Sequence, residues 1–283
     1  MLKIGNYTVR LIDAGRFRLD GGAMFGVVPK VLWERRQPPD SQNRIAMSTN
    51  LLLVEGEDRK ILIDTGNGNK FDDKFADMYA IDHSEYDLNN ALKRAGIFPG
   101  DITDVILTHL HFDHSGGATV RDGHGELHPT FGNATYYIQK RHWDWALAPS
   151  DKDRASFLPE NFRPLKSAGC LETLDGETEL FPGIRLFPVD GHTFAQQIVL
   201  IEGGERSLFY GGDLFPMAAH LSVPWVMAYD LNPLKTIEEK KFFSERALEE
   251  GWLVFFEHDP ETPCATIEMG PRGPRVGQKI DLA

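Results

Sequence analysis

The chain has 283 residues, 41% of them hydrophobic and 25% charged, with a formal net charge of −12; this is the profile of a globular protein long enough to bury a sizeable core. The negative charge repels nucleic-acid phosphates and anionic lipids, so neither is an expected partner. No run approaches the ~20 apolar residues that span a bilayer, and Met1 to Asn6 lacks an apolar leader, so a cytoplasmic protein is expected.

Taken in order, Tyr7 to Gly15 alternates as a first strand that glycine ends. Asp20 to Trp33 is apolar but interrupted by glycines and a proline, so neither helix nor strand fits throughout; it reads as a buried connector or as a loop at a pocket mouth. Met47–Glu55 and Lys60–Gly66 read as two strands about a polar turn. The second ends in Asp64-Thr65-Gly66, where the carboxylate is placed either for turn chemistry or to orient a ligating histidine from behind. From Tyr86 to Ala95, Leu88, Ala91, Leu92 and Ala95 recur at helical spacing, with Gly96 as the C-terminal cap.

Val105-Ile106-Leu107 then delivers Thr108-His109-Leu110-His111-Phe112-Asp113-His114-Ser115-Gly116-Gly117. On an extended backbone alternate side chains share a face, so His109 and His111 can grip one cation. Asp113 and His114, where the glycines turn the chain, can face a second. Crowded neutral imidazoles beside a carboxylate gain little from one another without a cation.

His124 and His128 lie in a Gly- and Pro-containing stretch and read as surface residues. Thr135 to Ile138 suggests a strand, and Lys140 to Leu147 a helix carrying His142. The polar segment 149–169 is either a cap over a site or a decorated connection. Ile184 to Val189 is a strand leading into Gly191-His192-Thr193. Ile198–Ile201 and Ser207–Tyr210 form a strand pair that runs into Gly211-Gly212-Asp213. Asn232 caps a helix that begins at Pro233 and closes at Gly251. Trp252 to Glu257 is an apolar strand ending at His258. Cys170 and Cys264 have no framework spacing and are expected as free thiols.

A metal-capable residue thus follows a strand end four times, at His109–His114, His192, Asp213 and His258. That order, His-x-His-x-Asp-His, Gly-His-Thr, Gly-Asp and a strand-end His, resembles the metallo-β-lactamase-fold hydrolase superfamily, with Asp64-Thr65-Gly66 as a further marker. The resemblance implies an α+β fold, a four-layer αββα sandwich formed by residues 1–283 as one domain, with metals along one edge. It assigns His109, His111 and His192 to one divalent cation and Asp113, His114 and His258 to a second, with Asp213 between them. Zinc is the first expectation; manganese, iron and cobalt suit the same ligands. A hydroxide shared by the two cations would attack the substrate, and Asp113 or Asp213 would pass a proton to the leaving group.

Three stretches, Gly21 to Lys30, Gly212 to His220 and Pro224 to Asp230, resemble the branch holding quorum-quenching N-acyl homoserine lactonases and methyl parathion hydrolase. A lactonase is therefore expected, with an organophosphate or aryl-ester hydrolase and a glyoxalase II-like thioester hydrolase as alternatives. A metal-binding protein without turnover is disfavoured, because the ligand set has no gap. The expected substrate is a small molecule with an apolar acyl or aryl group, against Met24, Phe25, Phe215 and Trp225. Lactonases of this branch carry a tyrosine three residues after the shared Asp; here that residue is Pro216, and His220 or Tyr229 is the expected substitute. Apolar residues of the N-terminal loop suit a homodimer interface as readily as a pocket.

Overall fold

The computed structural model describes residues 1–82, 84 and 87–282. The strands in chain order are β1 (Leu2–Ile4), β2 (Tyr7–Asp20), β3 (Arg44–Gly56), β4 (Arg59–Ile63), β5 (Asp104–Ile106), β6 (Thr119–Arg121), β7 (Leu127–Pro129), β8 (Thr135–Gln139) and β9 (Leu171–Leu174). They continue as β10 (Thr178–Phe181), β11 (Ile184–Val189), β12 (Gln196–Ile201), β13 (Leu208–Tyr210), β14 (Leu253–Phe255), β15 (Cys264–Gly270) and β16 (Gly273–Lys279). Two seven-stranded sheets result, β1-β2-β3-β4-β5-β8-β9 and β10-β11-β12-β13-β14-β15-β16, with β6 and β7 as a separate hairpin.

Residue alternation explains the layering. Leu52, Val54, Ile61 and Ile63 of the first sheet meet Val199, Ile201, Leu208, Tyr210, Leu253 and Phe255 of the second in a shared core. Their neighbours Leu51, Leu53 and Leu62 face outward onto Ala91, Leu92, Trp143 and Leu165 of the covering helices. Likewise Ile198, Leu200, Phe209 and Val254 face Phe243 and Ala247 of the helix Pro233–Glu249. Two sheets back to back with helices outside both make the αββα sandwich. Each fully buried aliphatic or aromatic side chain contributes roughly 1.5–3 kcal/mol. A one-residue slip would exchange the two faces, so pairings such as Leu52 with Ile63 and Leu200 with Phe209 are strongly specified.

Several expectations change. β2 does not end at Gly15 but continues to Asp20 through an irregularity between Asp13 and Arg16. Gly15 permits this crossing, since a Cβ there would stand 2.5 Å from the Thr49 hydroxyl. The stretch after it forms two short helices, Gly21–Phe25 and Lys30–Trp33, the first capped by Asp20 accepting from the Ala23 amide at 2.8 Å. The helix expected from Tyr86 runs from Leu88 to Arg94, and Tyr86 itself lies outside the described residues. Asn232 does cap its helix, accepting from the Lys235 amide at 3.3 Å. Both cysteines are free, Cys264 fully buried and Cys170 partly so. No helix among the described residues is long and apolar enough to cross a membrane.

β4, β5 and β8 run parallel, so their C-terminal ends open on one edge. β13 and β14 are parallel in the second sheet and deliver their ends to the same edge. The turn after β4 packs on the turn after β5 with almost no room: a Cβ on Gly68 would meet the Gly116 carbonyl at 2.1 Å. Gly68 also sits at φ +65°, where a side chain is strained. Gly68→Ala should therefore destabilise by about 2 kcal/mol or more, lowering Tm by roughly 4–8 °C in calorimetry. Gly96→Ala, at φ +74° in open space, should cost only about 1 kcal/mol; equal losses would show that the packing of the two turns is unimportant.

Candidate metal centre

Each side chain of the centre stands just past a strand. β5 ends at Ile106, and residues 107–111 are irregular before the short helix Phe112–Ser115. The Asp64-Thr65-Gly66 turn grips this loop. Asp64, itself at φ +58°, accepts from the Thr108 amide and hydroxyl, both at 2.7 Å. The Thr65 amide and hydroxyl donate to the His114 carbonyl at 2.7 and 2.8 Å. His192 follows β11, Asp213 lies in the turn after β13, and His258 follows β14.

The ring nitrogens converge. His109 Nε2 and His192 Nε2 lie 3.0 and 3.1 Å from His111 Nδ1. His109 and His111 thus meet through different nitrogens from an irregular loop, not as matched residues of one strand face. Asp213 Oδ2 is 3.1 Å from His192 Nε2 and 3.9 Å from His109 Nε2. Its other oxygen, Oδ1, is 3.1 Å from His258 Nε2 and 3.5 Å from His114 Nε2. Those two nitrogens are 3.1 Å apart. The Asp113 oxygens stand farther off, 3.7 Å from His258 and 3.9 Å from His114. Two donor groups therefore share Asp213: His109, His111 and His192 on one side, and Asp113, His114 and His258 on the other.

The outward ring nitrogens of four of the five histidines are held by acceptors or by a hydroxyl. His192 Nδ1 donates to Asp230 Oδ1 at 3.0 Å, and His258 Nδ1 to the Ser48 carbonyl at 2.8 Å. His109 Nδ1 is 3.0 Å from the Thr108 hydroxyl, whose own proton goes to Asp64. His114 Nδ1 faces Asp64 at 3.1 Å and Glu257 at 3.0 Å. With the proton held outside, the Nε2 atoms of His109 and His192 turn lone pairs inward, whereas those of His258 and His114 face the Asp213 carboxylate. None of the seven residues is more than 6% exposed, so water does not relieve the opposed lone pairs. Nitrogen and carboxylate oxygen converging in this way suit divalent cations.

Charge follows the same division. Burial, then the neighbouring rings, hold His109 and His111 well below the usual histidine range. Burial opposes protonation of His258, but Asp213 and Glu257 outweigh it and push the ring up to about 9. His114 is raised in the same way by Glu257, Asp113 and Asp213. Asp213 lies well below the carboxylate range: burial works against it, and His192, His114 and His258 prevail. Glu257, buried and close to Asp64, is pushed up to about 8.

A cavity of about 180 Å³ opens over the centre. Its apolar wall includes Leu19, Met24, Met47, Phe112 and Met227; its polar wall includes Tyr79, Lys152, Asp153, Ser156 and Tyr229. Of the six residues expected to touch substrate, Met24 and Tyr229 line it. The other four do not. Phe25 stacks between Trp33 and His220 in the core, and Trp225 packs on its edge. Phe215 packs on Phe209 beneath the second sheet. His220 donates Nε2–H to the Met24 carbonyl at 2.9 Å and supports the wall instead of facing the cavity. The segment 149–169 supplies Lys152, Asp153 and Ser156 and so covers the site. His124 and His128 are exposed on the β6–β7 turn and strand.

Asp230, Glu257, His142 and Tyr79 escape a reading of the chain. Asp230 closes the quoted stretch Pro224–Asp230 and Glu257 precedes His258, so position is a faint signal for both. His142 accepts from the Leu110 amide and donates to the Phe194 carbonyl, each at 2.8 Å, tying two ligand loops together. Nothing in the sequence marks Tyr79.

The chain belongs to the metallo-beta-lactamase superfamily, whose profile matches residues 44–258. An N-acyl homoserine lactonase of Bacillus cereus is 29% identical over 225 residues, covering 74% of this chain and 80% of that protein. Among solved structures, a probable metal-dependent hydrolase of Staphylococcus aureus is 30% identical with a TM-score of 0.89, covering 99% of this chain and 98% of the other. A dizinc quorum-quenching lactonase in complex with a product matches at 22% identity and a TM-score of 0.80, covering 100% of this chain and 97% of the other, a likeness of fold. The chain is a metallo-hydrolase of this family.

Two measurements test the centre. Metal analysis should find two cations per chain, with at least one lost in Asp213→Ala, while Asp230→Ala, which frees the His192 ring, should weaken metal affinity by about 10–100-fold. The metal-free protein holds a proton on His258 below about 9, and a cation must displace it. Loading should release protons, and affinity should fall as pH drops below 9. Calorimetry in buffers of different ionisation enthalpy reads this directly, and pH-independent loading would refute it.

Proposed function

We propose that this metallo-hydrolase opens lactone rings, with N-acyl homoserine lactones as the substrate class, using two divalent cations, zinc foremost. The observation that carries the reading is the position of the shared carboxylate. Asp213 presents one oxygen to each donor group at the floor of a cavity with one apolar wall. The similarity to a lactonase over three quarters of the chain supports the substrate class.

His109, His111 and His192 would hold one cation, Asp113, His114 and His258 the other, and Asp213 both. Bound cations would bring the pKa of a water between them towards neutrality and draw electron density from the substrate's reacting oxygen. The remaining work falls to the chain. Asp230, Ser48, Thr108 and Asp64 hold the rings by their outer nitrogens, so the inner ones need no reorganisation. Leu19, Met24, Met47, Phe112 and Met227 exclude water and receive an acyl chain. Asp213 has both oxygens engaged by histidines, whereas Asp113 stands 3.7 Å or more from its neighbours. Asp113 is therefore the carboxylate with capacity to carry a proton to the leaving alkoxide. In a lactone that alkoxide stays tethered, and the product is a hydroxy acid.

A pH-stat assay over acyl chain lengths should find N-acyl homoserine lactones turned over with kcat/KM of about 10⁴ M⁻¹s⁻¹ or more, with activity lost on chelation and restored by zinc. Faster turnover of a paraoxon-type phosphotriester or an aryl ester would move the reading to that class. S-lactoylglutathione as the sole substrate would make it a thioester hydrolase, and a β-lactam should be inert.

A further inference from the structure

Residues 190–195, between β11 and β12, form neither helix nor strand, yet they carry His192, whose Nε2 stands 3.1 Å from both Asp213 and His111. An irregular turn in a buried place must find partners for its amides. The two amides that lead into His192, those of Asp190 and Gly191, both donate to one carboxylate. They meet Glu239, at 2.8 Å on Oε1 and 3.0 Å on Oε2. Glu239 stands on the helix Pro233–Glu249, 48 residues along the chain from Gly191, and is 8% exposed.

The same helix closes round the turn. The Asn232 amide donates to the Gly191 carbonyl at 2.8 Å, and the Leu231 amide to the His192 carbonyl at 3.0 Å. A Cβ on Gly191 would stand 2.6 Å from the Cα and the amide of Thr236, so the turn lies directly on the helix backbone. From the far side, Asp190 Oδ1 accepts from the Ala195 amide at 2.8 Å and from Arg141 at 2.6 Å. Lys240, next to Glu239 and 1% exposed, gives its protons to the Ser222 and Trp225 carbonyls, at 2.9 and 2.7 Å. Glu239 thus spends both oxygens on two consecutive peptide groups. Hydrogen bonds to an ionised acceptor are about twice as strong as neutral ones, and two of them hold both peptide planes against rotation. Asp230 then fixes the His192 ring at Nδ1; Glu239 fixes the backbone from which that ring projects. The histidines of the other donor group have separate supports: Thr65 and Asp64 hold His114, and the Ser48 carbonyl holds His258.

We propose that Glu239 is a positioning residue for the metal centre. By holding the Asp190 and Gly191 amides it fixes His192, and so sets the affinity of the cation bound by His109, His111 and His192 while leaving the other cation to its own supports. The inference rests on the two-cation reading above and deepens it.

The test titrates the metal-free full chain with zinc by calorimetry, and with cobalt by visible absorption. His192→Ala identifies which of the two binding steps belongs to the three-histidine cation. Glu239→Gln keeps the shape of the side chain but turns an amide nitrogen towards one backbone N–H. It should weaken that step by about 10–100-fold and leave the other within about threefold of wild type. The cobalt absorption that His192→Ala removes should be the part that Glu239→Gln alters. Glu238→Gln, on the exposed side of the helix against Lys235, should change neither step. If Glu239→Gln does not fold, Glu239→Asp, which keeps the charge and withdraws the carboxylate by one methylene, is read in the same way. Equal weakening of both steps would mark a general loss of structure and overturn the proposal, as would an unchanged three-histidine step. A wild type that binds one cation would overturn the two-cation reading; Glu239→Gln then decides on that cation, a loss of affinity supporting the proposal and none overturning it. A wild type that binds no cation would overturn both. The titration needs no substrate, so its outcome is separate from the lactone reading.

Discussion

The structure depends on one unfavourable contact. Five imidazoles and two carboxylates meet in a buried space with their donor atoms turned towards each other. Every outward nitrogen of His109, His114, His192 and His258 is engaged by an acceptor, so none of these four rings can turn to relieve the crowding. A cation converts this repulsion into ligation, and the fold keeps the site in readiness for it.

That arrangement accounts for much of the surrounding architecture. Parallel strands carry several ligands to one edge, because their ends point the same way. Gly68 and Gly116 let two turns touch, backbone on backbone, so that Asp64 can reach Thr108 and His114. Glu257 adds a second buried carboxylate against His114 and is displaced towards its neutral form. The covering segment of residues 149–169 is locked to the ligand-backing loop through Lys152, so access to the metals and orientation of His192 share one wall.

Much of the fold could be read in the chain because the buried strands are short continuous apolar runs. Leu51 to Val54 and Ile198 to Ile201 are apolar at every position, one set facing the other sheet and the next facing helices. The edge strands β9, β10 and β16, and β15 beside the last of them, are half exposed and lack that signature. At Gly15 a turn residue misleads, because here glycine serves a close crossing with Thr49 inside a long strand. The aromatic residues Phe25, Phe215 and Trp225 read as pocket residues because composition cannot tell a cavity wall from the core behind it.

The sequence by itself determined which residues converge as candidate metal ligands. Histidine and aspartate at strand ends are expensive in a core unless a cation takes them, so residue type and position suffice. Only the tertiary structure decided what stands behind and above them. Asp230 meets His192 across 38 residues, and Glu257 meets His114 across the two sheets. Tyr79 and Tyr229 face one cavity from separate loops. These contacts join side chains with no shared spacing or pattern, and they exist only once the two sheets have packed.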